Sequence, residues 1–284
     1  MTCAWKPLLA VLPAWMRKEV DVQKDTLLQE LRLRINAPPE LIFPGGKCLL
    51  NRKITSEDLN YTLNAAVQYS PWTAASVSQG YITISGGHRL GLCGEAIVQQ
   101  GVVTGIRSVS SICIRIARDF PGIASRIKNS AGSVLILGPP GAGKTTMLRD
   151  LVRQREESEN ICVVDERGEL FPEGLPGGSH IDVLSGCSKK DGIRMLLRTM
   201  GPSCIAMDEI TDPEDTNALL EAANCGVHLL ATAHAASAAD YRQRSIYRPL
   251  VENRIFPLVL VLKKDKSYTM ERMAQWDTSG LVQY

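Results

Sequence analysis

With 284 residues, 44% of them hydrophobic and 22% charged, the chain has room for two compact domains and the balance of an ordinary globular protein. A formal net charge of +2 is too small to signal a nucleic-acid or membrane-surface partner. Eight cysteines with no C-x-x-C pair speak against a disulfide framework or a zinc site. Most sit in apolar company, as in SICIRIA and ICVV, which predicts reduced, buried thiols in a cytoplasmic protein.

The chain opens with Lys6 and PLLAVLPAWM, which has the look of a short signal core. Two prolines, a tryptophan and the lack of a small-residue cleavage site before Arg17 point instead to an amphipathic surface helix. No apolar run approaches the roughly 18 residues that span a bilayer, so direct membrane insertion is not expected. Leu27–Ile35 then alternates, with Leu31, Leu33 and Ile35 on one face and Arg32 and Arg34 on the other. Ser56–Gln68 reads as a helix started by Ser56, Glu57 and Asp58. Tyr81–Ser85, the turn GGH and Arg89–Val98 read as a hairpin, and Val109–Ala117 alternates again. Residues 1–125 are thus predicted to form a small α+β domain.

Beyond the junction near Asp119-Phe120-Pro121-Gly122, strand and helix patterns alternate through residues 126–284: 133–137 then 144–155, 161–165, 181–184 then 189–200, 204–208 then 213–225, 227–233 then 238–248. Near-continuous apolar strands in this order predict a parallel sheet covered on both faces. Ligands of such sheets sit at the carboxyl ends of the strands. The tail, Ile255–Leu262 and Ser267–Met273 around a lysine-rich turn, reads as a closing antiparallel hairpin.

The first strand of this half runs straight into GPPGAGKTT, residues 138–146. A G-x-x-x-x-G-K-[ST] pattern between a strand and a helix is a phosphate-binding loop. Gly138, Pro139, Pro140, Gly141, Ala142, Gly143, Lys144, Thr145 and Thr146 are the expected nucleotide-binding residues. The glycines let backbone N–H groups crowd around phosphate oxygens, and the helix dipole favours negative charge at the same place. Lys144 reaches the β- and γ-phosphates, and the Thr145 hydroxyl suits Mg²⁺. The expected ligands are ATP and Mg²⁺.

Three further strand ends carry chemistry. SCIAMDE ends in Asp208, a candidate Mg²⁺ holder, and Glu209, a candidate to polarise the attacking water. ICVVDER ends in Asp165 and Glu166. If that strand neighbours the phosphate-loop strand, both acids border the γ-phosphate, with Glu166 the accessory catalytic candidate; the other reading is a structural pair such as Glu166 with Arg167. VHLLATAH ends in His234, placed to sense the γ-phosphate, whereas His228 at its start reads as a packed or capping residue. Among the arginines, Arg89 beside Gly86 and Gly87 is the candidate to act in trans across a subunit boundary, although surface arginines are commonly solvated or ion-paired.

In order, GPPGAGKTT, VVDERGE (163–169), MDEITD (207–212) and LLATAH (229–234) resemble the Walker A loop, acidic box, Walker B strand and histidine box of the type II/IV secretion ATPases. Arg198 matches that family's arginine ahead of Walker B. Asp208 stands where the family has glycine, giving an AAA-like Asp-Glu pair, and Thr211 stands where it has arginine. Outside the core, LRLRINAPPELI (31–42), GHRLGLCGEA (87–96) and IRIARDFPGIA (114–124) resemble signatures of the stage III sporulation AA family, so that the resemblance covers nearly the whole chain. It implies a RecA-like P-loop ATPase core behind a smaller N-terminal α+β domain that serves oligomerisation, regulation or arginine donation. It also implies a homo-oligomer, a hexamer, working in the mother-cell cytoplasm of a spore-forming bacterium. Its partners would be subunits of a membrane-embedded channel or secretion complex joining mother cell and forespore. The other readings are a nucleic-acid-dependent P-loop ATPase, disfavoured by 5% aromatics, and a nucleotide-gated scaffold with scant turnover.

Overall fold

The computed structural model describes residues 3–68, 80–172 and 178–272. The described residues divide into two units, one running to Asp119 and joined by Pro172, the other running from Phe120 to Phe171 with the described residues from 178 on.

The first unit is a six-stranded sheet in the order β3-β2-β1-β6-β5-β4, every neighbouring pair antiparallel. Its strands are β1 (Glu30–Arg34), β2 (Glu40–Phe43), β3 (Gly46–Leu49), β4 (Tyr81–Thr83), β5 (Arg89–Gln99) and β6 (Val102–Arg115). The alternation in LRLR does what its period requires: Leu31 and Leu33 are buried against Leu90, Ile112 and Ile114, while the arginines face away. Arg32 pairs with Glu30 and Arg34 with Glu40 on that outer face. Helix α3 (Ser56–Gln68) starts where the serine and acids predicted and packs Leu59 and Ala66 into the same core.

The N-terminal segment corrects the expectation of a surface helix. It forms two short helices, α1 (Trp5–Ala10) and α2 (Ala14–Asp21), with Leu8, Val11, Leu12, Met16 and Val20 wholly buried. Pro13 caps the second helix and breaks the pattern into two. So much apolar side chain gains more from the core, at about 2 kcal/mol each, than from a water-facing groove. The buried-thiol expectation also needs correcting. Cys162 and Cys204 are buried, but Cys48, Cys93 and Cys225 are exposed and the other three half-buried, all eight free.

β5 and β6 continue past the sheet as a long ribbon, paired from Arg89↔Arg115 out to Gln99↔Val102. The register slips between Cys93 and Glu95. Gly94 sits at that bulge because a Cβ there would lie 2.6 Å from the Arg107 carbonyl.

The second unit is a seven-stranded sheet in the order β13-β12-β7-β11-β10-β8-β9: β7 (Val134–Leu137), β8 (Ile161–Asp165), β9 (Ile181–Ser185), β10 (Cys204–Glu209), β11 (His228–Ala233), β12 (Leu258–Leu262) and β13 (Tyr268–Arg272). All are parallel except β13, which pairs antiparallel with β12 at the edge. Alternate residues of each central strand enter two separate cores. Val134, Ile136, Val163 and Ala206 pack with Met147, Leu148 and Leu151 of α4 (Lys144–Arg155). Leu135, Leu137, Val164 and Met207 pack with Ile193 of α5 (Lys189–Thr199) and Leu219 of α6 (Pro213–Asn224). Double-sided burial is why these strands are apolar throughout rather than alternating. Two short helices, α7 (Ala238–Gln243) and α8 (Arg248–Glu252), complete the unit. Among the described residues no helix is long and apolar enough to cross a membrane.

The strand order overturns one premise of the sequence reading. β8 does not neighbour the phosphate-loop strand β7, since β11 and β10 stand between them.

Candidate functional site

The carboxyl ends of β7, β11 and β10 lie side by side in the sheet, and each delivers one part of the site. From β7 the chain enters the glycine loop. Gly138 presses against β12, where a Cβ would come 2.9 Å from the Leu262 carbonyl. Gly143 caps α4 at φ 99°, a left-handed conformation that side chains with a Cβ rarely adopt. The first residues of α4 are therefore Lys144 and Thr145, with the free N–H groups of the helix start beside them. Of the other loop residues, Ala142 is buried and donates its N–H to the Pro139 carbonyl at 3.2 Å. Gly141 turns at φ 73°, Pro140 is exposed, and Thr146 is half-buried on the helix.

Lys144 is buried and folds back over this loop. Its Nζ donates to the Gly138 carbonyl at 3.0 Å and reaches Nδ1 of His234 at 3.0 Å. Nδ1 also lies 3.2 Å from the Gly138 carbonyl, and the second ring nitrogen is Nε2. That nitrogen lies 2.7 Å from Oε1 of Glu209. A continuous chain Lys144–His234–Glu209 results, with His234 at the middle because β11 is the strand between β7 and β10. Burial pulls the Lys144 ammonium below its ordinary range, and the charges of Glu209 and Asp208 act against that pull.

β10 contributes both acids through an irregularity. In a regular strand adjacent side chains point to opposite faces, but here the register with β11 slips between Met207 and Glu209. Such bulges re-aim side chains. Asp208 accepts from the Thr145 hydroxyl at 3.2 Å and lies 3.5 Å from that of Thr232, while Glu209 turns to His234. Desolvation, with the nearby charges of Glu169, Asp165 and Glu209, pushes Asp208 up to about 6, against the pull of the Thr145 hydrogen bond. Excess negative charge beside a hydroxyl suits a hard divalent cation. Among the described residues no group of three or more histidine, cysteine or acidic side chains could hold a metal unaided. The Thr145 hydroxyl beside the Asp208 carboxylate fits Mg²⁺ in its usual form, shared between few protein oxygens and substrate phosphates.

The β8 acids are placed differently. Asp165 is buried and accepts the N–H groups of Glu169, Leu170 and Phe171 at 2.9, 2.9 and 2.8 Å, which makes it the pin of its own loop. Glu166 reaches Lys189 at 3.2 Å, and Lys189 also holds Asp215 at 3.0 Å and the Thr211 hydroxyl at 3.0 Å. The pairing of Glu166 is therefore with a buried lysine, not with Arg167 as the structural reading had it. Thr211, standing where the secretion ATPases have arginine, belongs to this cluster. Lys189 carried no recognisable sequence signal, being one of two adjacent lysines in the first turn of a helix.

Arg89 belongs to the first unit, its guanidinium 3.7 Å from the centre of the Tyr81 ring. Arg194 pairs with Glu221, and Arg198 is exposed on the same helix. His228, read as a packed or capping residue, is instead exposed at the start of β11 and hydrogen-bonded to Glu159. The closing hairpin forms as the sequence reads it, β12 pairing antiparallel with β13, but its pattern does not foretell that Lys266 in the lysine-rich turn donates to the Gly141 carbonyl.

The chain matches the family model for sporulation stage III protein AA over residues 6–278. It is 40% identical over 276 residues to stage III sporulation protein AA of Bacillus subtilis (strain 168), covering 90% of each chain. It is also 30% identical over 144 residues to type II secretion system protein E of Pseudomonas aeruginosa, spanning half of this chain and 27% of that protein. Among solved structures it resembles the Legionella pneumophila ATPase DotB, with a TM-score of 0.61 at 18% identity over 92% of this chain and 80% of that one. The pilus retraction motor PilT with bound ADP gives 0.61 at 16% identity over 88% and 78%. These likenesses show a RecA-like, secretion-ATPase fold, so the Asp208-Glu209 pair, AAA-like in sequence, does not come with an AAA fold. By the match over residues 6–278 and the 40% identity, the chain belongs to the sporulation stage III protein AA family.

Proposed function

We propose that the chain is a secretion-type motor ATPase that converts ATP and water to ADP and phosphate. The observation that carries this reading is the continuous Lys144–His234–Glu209 chain at the mouth of the glycine loop. Residues 138–146 bind the triphosphate, with backbone N–H groups and the Lys144 ammonium turned to its oxygens in place of the Gly138 carbonyl. Thr145 and Asp208 hold Mg²⁺, which supplies charge neutralisation at the phosphates when bound. Glu209 orients and polarises the attacking water, and His234 ties its carboxylate to the lysine that senses the phosphate. Glu166 acts as an accessory through Lys189, holding the acidic loop to the start of α6.

Family membership supports a further step: a cytoplasmic, mother-cell ATPase, peripheral to a membrane-embedded channel complex between mother cell and forespore. It works as a homo-oligomer, a hexamer, in which the first unit contributes to assembly. Arg89 is the proposed trans cation, leaving the Tyr81 ring to reach a neighbouring subunit. The nucleic-acid reading lacks support from the arginines of the first unit, since Arg32, Arg34 and Arg107 are engaged with Glu30, Glu40 and Glu95.

Phosphate release by the purified chain, with and without Mg²⁺ and across protein concentrations, tests the reading. Lys144→Ala should lower turnover by about a hundredfold or more, and Glu209→Gln by about 10²–10⁴ with nucleotide still bound. Turnover rises with protein concentration if a ring is the active form. Undiminished hydrolysis by Glu209→Gln would refute the proposed mechanism, and no hydrolysis by the wild type at any concentration would favour a nucleotide-gated scaffold.

A further inference from the structure

The last two residues of β10 are held by the sheet on one side only. Towards β11 the ladder runs on past the slip to Glu209↔Thr232. Just beyond, the buried Ile210 donates its N–H to the Thr232 carbonyl at 2.9 Å. Towards β8 the ladder stops at Met207↔Val164, so Asp208 and Glu209 have no paired residue in β8. A general base must nevertheless sit within hydrogen-bond reach of the proton it takes. Something other than the ladder has to steady this strand end on its β8 side.

Side chains close the gap. Glu166 directly follows the last residue of β8, and Thr211 lies two residues beyond Glu209. Lys189 stands between them, buried in the first turn of α5. Its Nζ reaches Glu166 at 3.2 Å, the Thr211 hydroxyl at 3.0 Å and the Asp215 carboxylate of α6 at 3.0 Å. The Thr211 hydroxyl and N–H donate in turn to the same Asp215 oxygen, at 3.1 and 2.8 Å. An ammonium has three donors, and these three acceptors take one each. Lys189 thus has no donor left for a phosphate or a water, and whatever it does for the site it does through its partners. Thr211 stands where the secretion ATPases have arginine; in this chain the cation comes to that position from α5.

We propose that Lys189 is a positioning residue for hydrolysis, a side-chain rung between the ends of β8 and β10 that steadies the chain after Glu209 and so aims its carboxylate. The inference rests on the proposed role of Glu209 towards the attacking water. His234 holds that carboxylate from the β11 side, and Lys189 fixes the backbone that carries it from the β8 side.

Single-turnover hydrolysis and equilibrium nucleotide binding by the full-length chain, well below the melting temperature of every variant, test this. Lys189→Met should slow the single-turnover step by about tenfold or more while changing nucleotide affinity less than threefold, because the base is misaimed and the cradle is intact. Thr211→Val, which leaves the Lys189 and Asp215 pair in place, should slow it by about three- to tenfold with the same split. Adding Thr211→Arg to Lys189→Met returns a cation to the same carboxylates and should recover most of the lost rate. Asp150→Asn controls for stability alone. Asp150 takes the N–H groups of Gly122 and Ala124 at 2.9 and 2.7 Å, and its loss should leave the rate within about twofold. Undiminished rates in both Lys189→Met and Thr211→Val overturn the proposal. So does a loss that appears as weaker nucleotide binding, a double variant no faster than Lys189→Met, or an Asp150→Asn variant slowed as much. Glu209→Gln hydrolysing like the wild type would instead remove the role of Glu209 itself, and the aiming by Lys189 with it.

Discussion

Replacing Lys189 by methionine should destabilise the second unit far more than any neighbouring lysine change. Lys189 and Asp215 are 6% and 4% exposed, and their charges lie 3.0 Å apart. Burial works against the ammonium, but the hydrogen bond and charge of Asp215, with the charge of Glu166, outweigh it and hold Lys189 above its ordinary value. Removing one member of a buried pair leaves the other uncompensated, at about 3–5 kcal/mol. Asp215 would retain the Thr211 N–H at 2.8 Å and the Thr211 hydroxyl at 3.1 Å, which places the cost near the low end, about 3 kcal/mol. The Glu166 contact adds little, because that carboxylate is 37% exposed and screened by water. At about 2–4 °C per kcal/mol for a domain of this size, thermal unfolding followed by circular dichroism should show a drop of about 6–12 °C. Lys190→Met is the control. Its partner Glu214 is 69% exposed, so the loss should stay below about 1 kcal/mol. Equal melting temperatures for the two variants would refute the reasoning, as would a double variant Lys189→Met, Asp215→Asn that loses the full sum of the single effects.

His234→Ala should lower the hydrolysis rate by about ten- to a hundredfold while changing nucleotide affinity less than threefold, because Lys144 and Glu209 lose their link but the loop persists; single-turnover rates and equilibrium binding separate the two. Asp150→Asn should cost about 2 kcal/mol in urea unfolding, since a charged acceptor of two backbone N–H groups becomes a neutral one.

The elements themselves were largely legible. The α4 helix spans Lys144–Arg155 and the α3 helix Ser56–Gln68, as the capping residues and the glycine loop implied, because such signals are local. The N-terminal segment was not: PLLAVLPAWM has an apolar face whether it lies on a surface or inside a core, and periodicity does not tell the two apart. The cysteines failed for a related reason. Apolar neighbours in sequence point alternately to both faces of a strand, so Cys93 can follow a buried leucine and still face water.

Of the site, the glycine loop, Lys144, Thr145 and the Asp208-Glu209 pair could be named from the sequence, because a phosphate cradle is built from contiguous residues whose spacing is the chemistry. Three-dimensional packing decided the rest. Strand order is not written in any local pattern, since any apolar strand can pair with any other through the same backbone groups. Only insertion of β11 between β7 and β10 brings His234 within reach of residues 90 positions earlier and 25 earlier. The same order moves Glu166 away from the phosphate-loop strand and into the keeping of Lys189, and the slip in β10 turns two adjacent acids to one task.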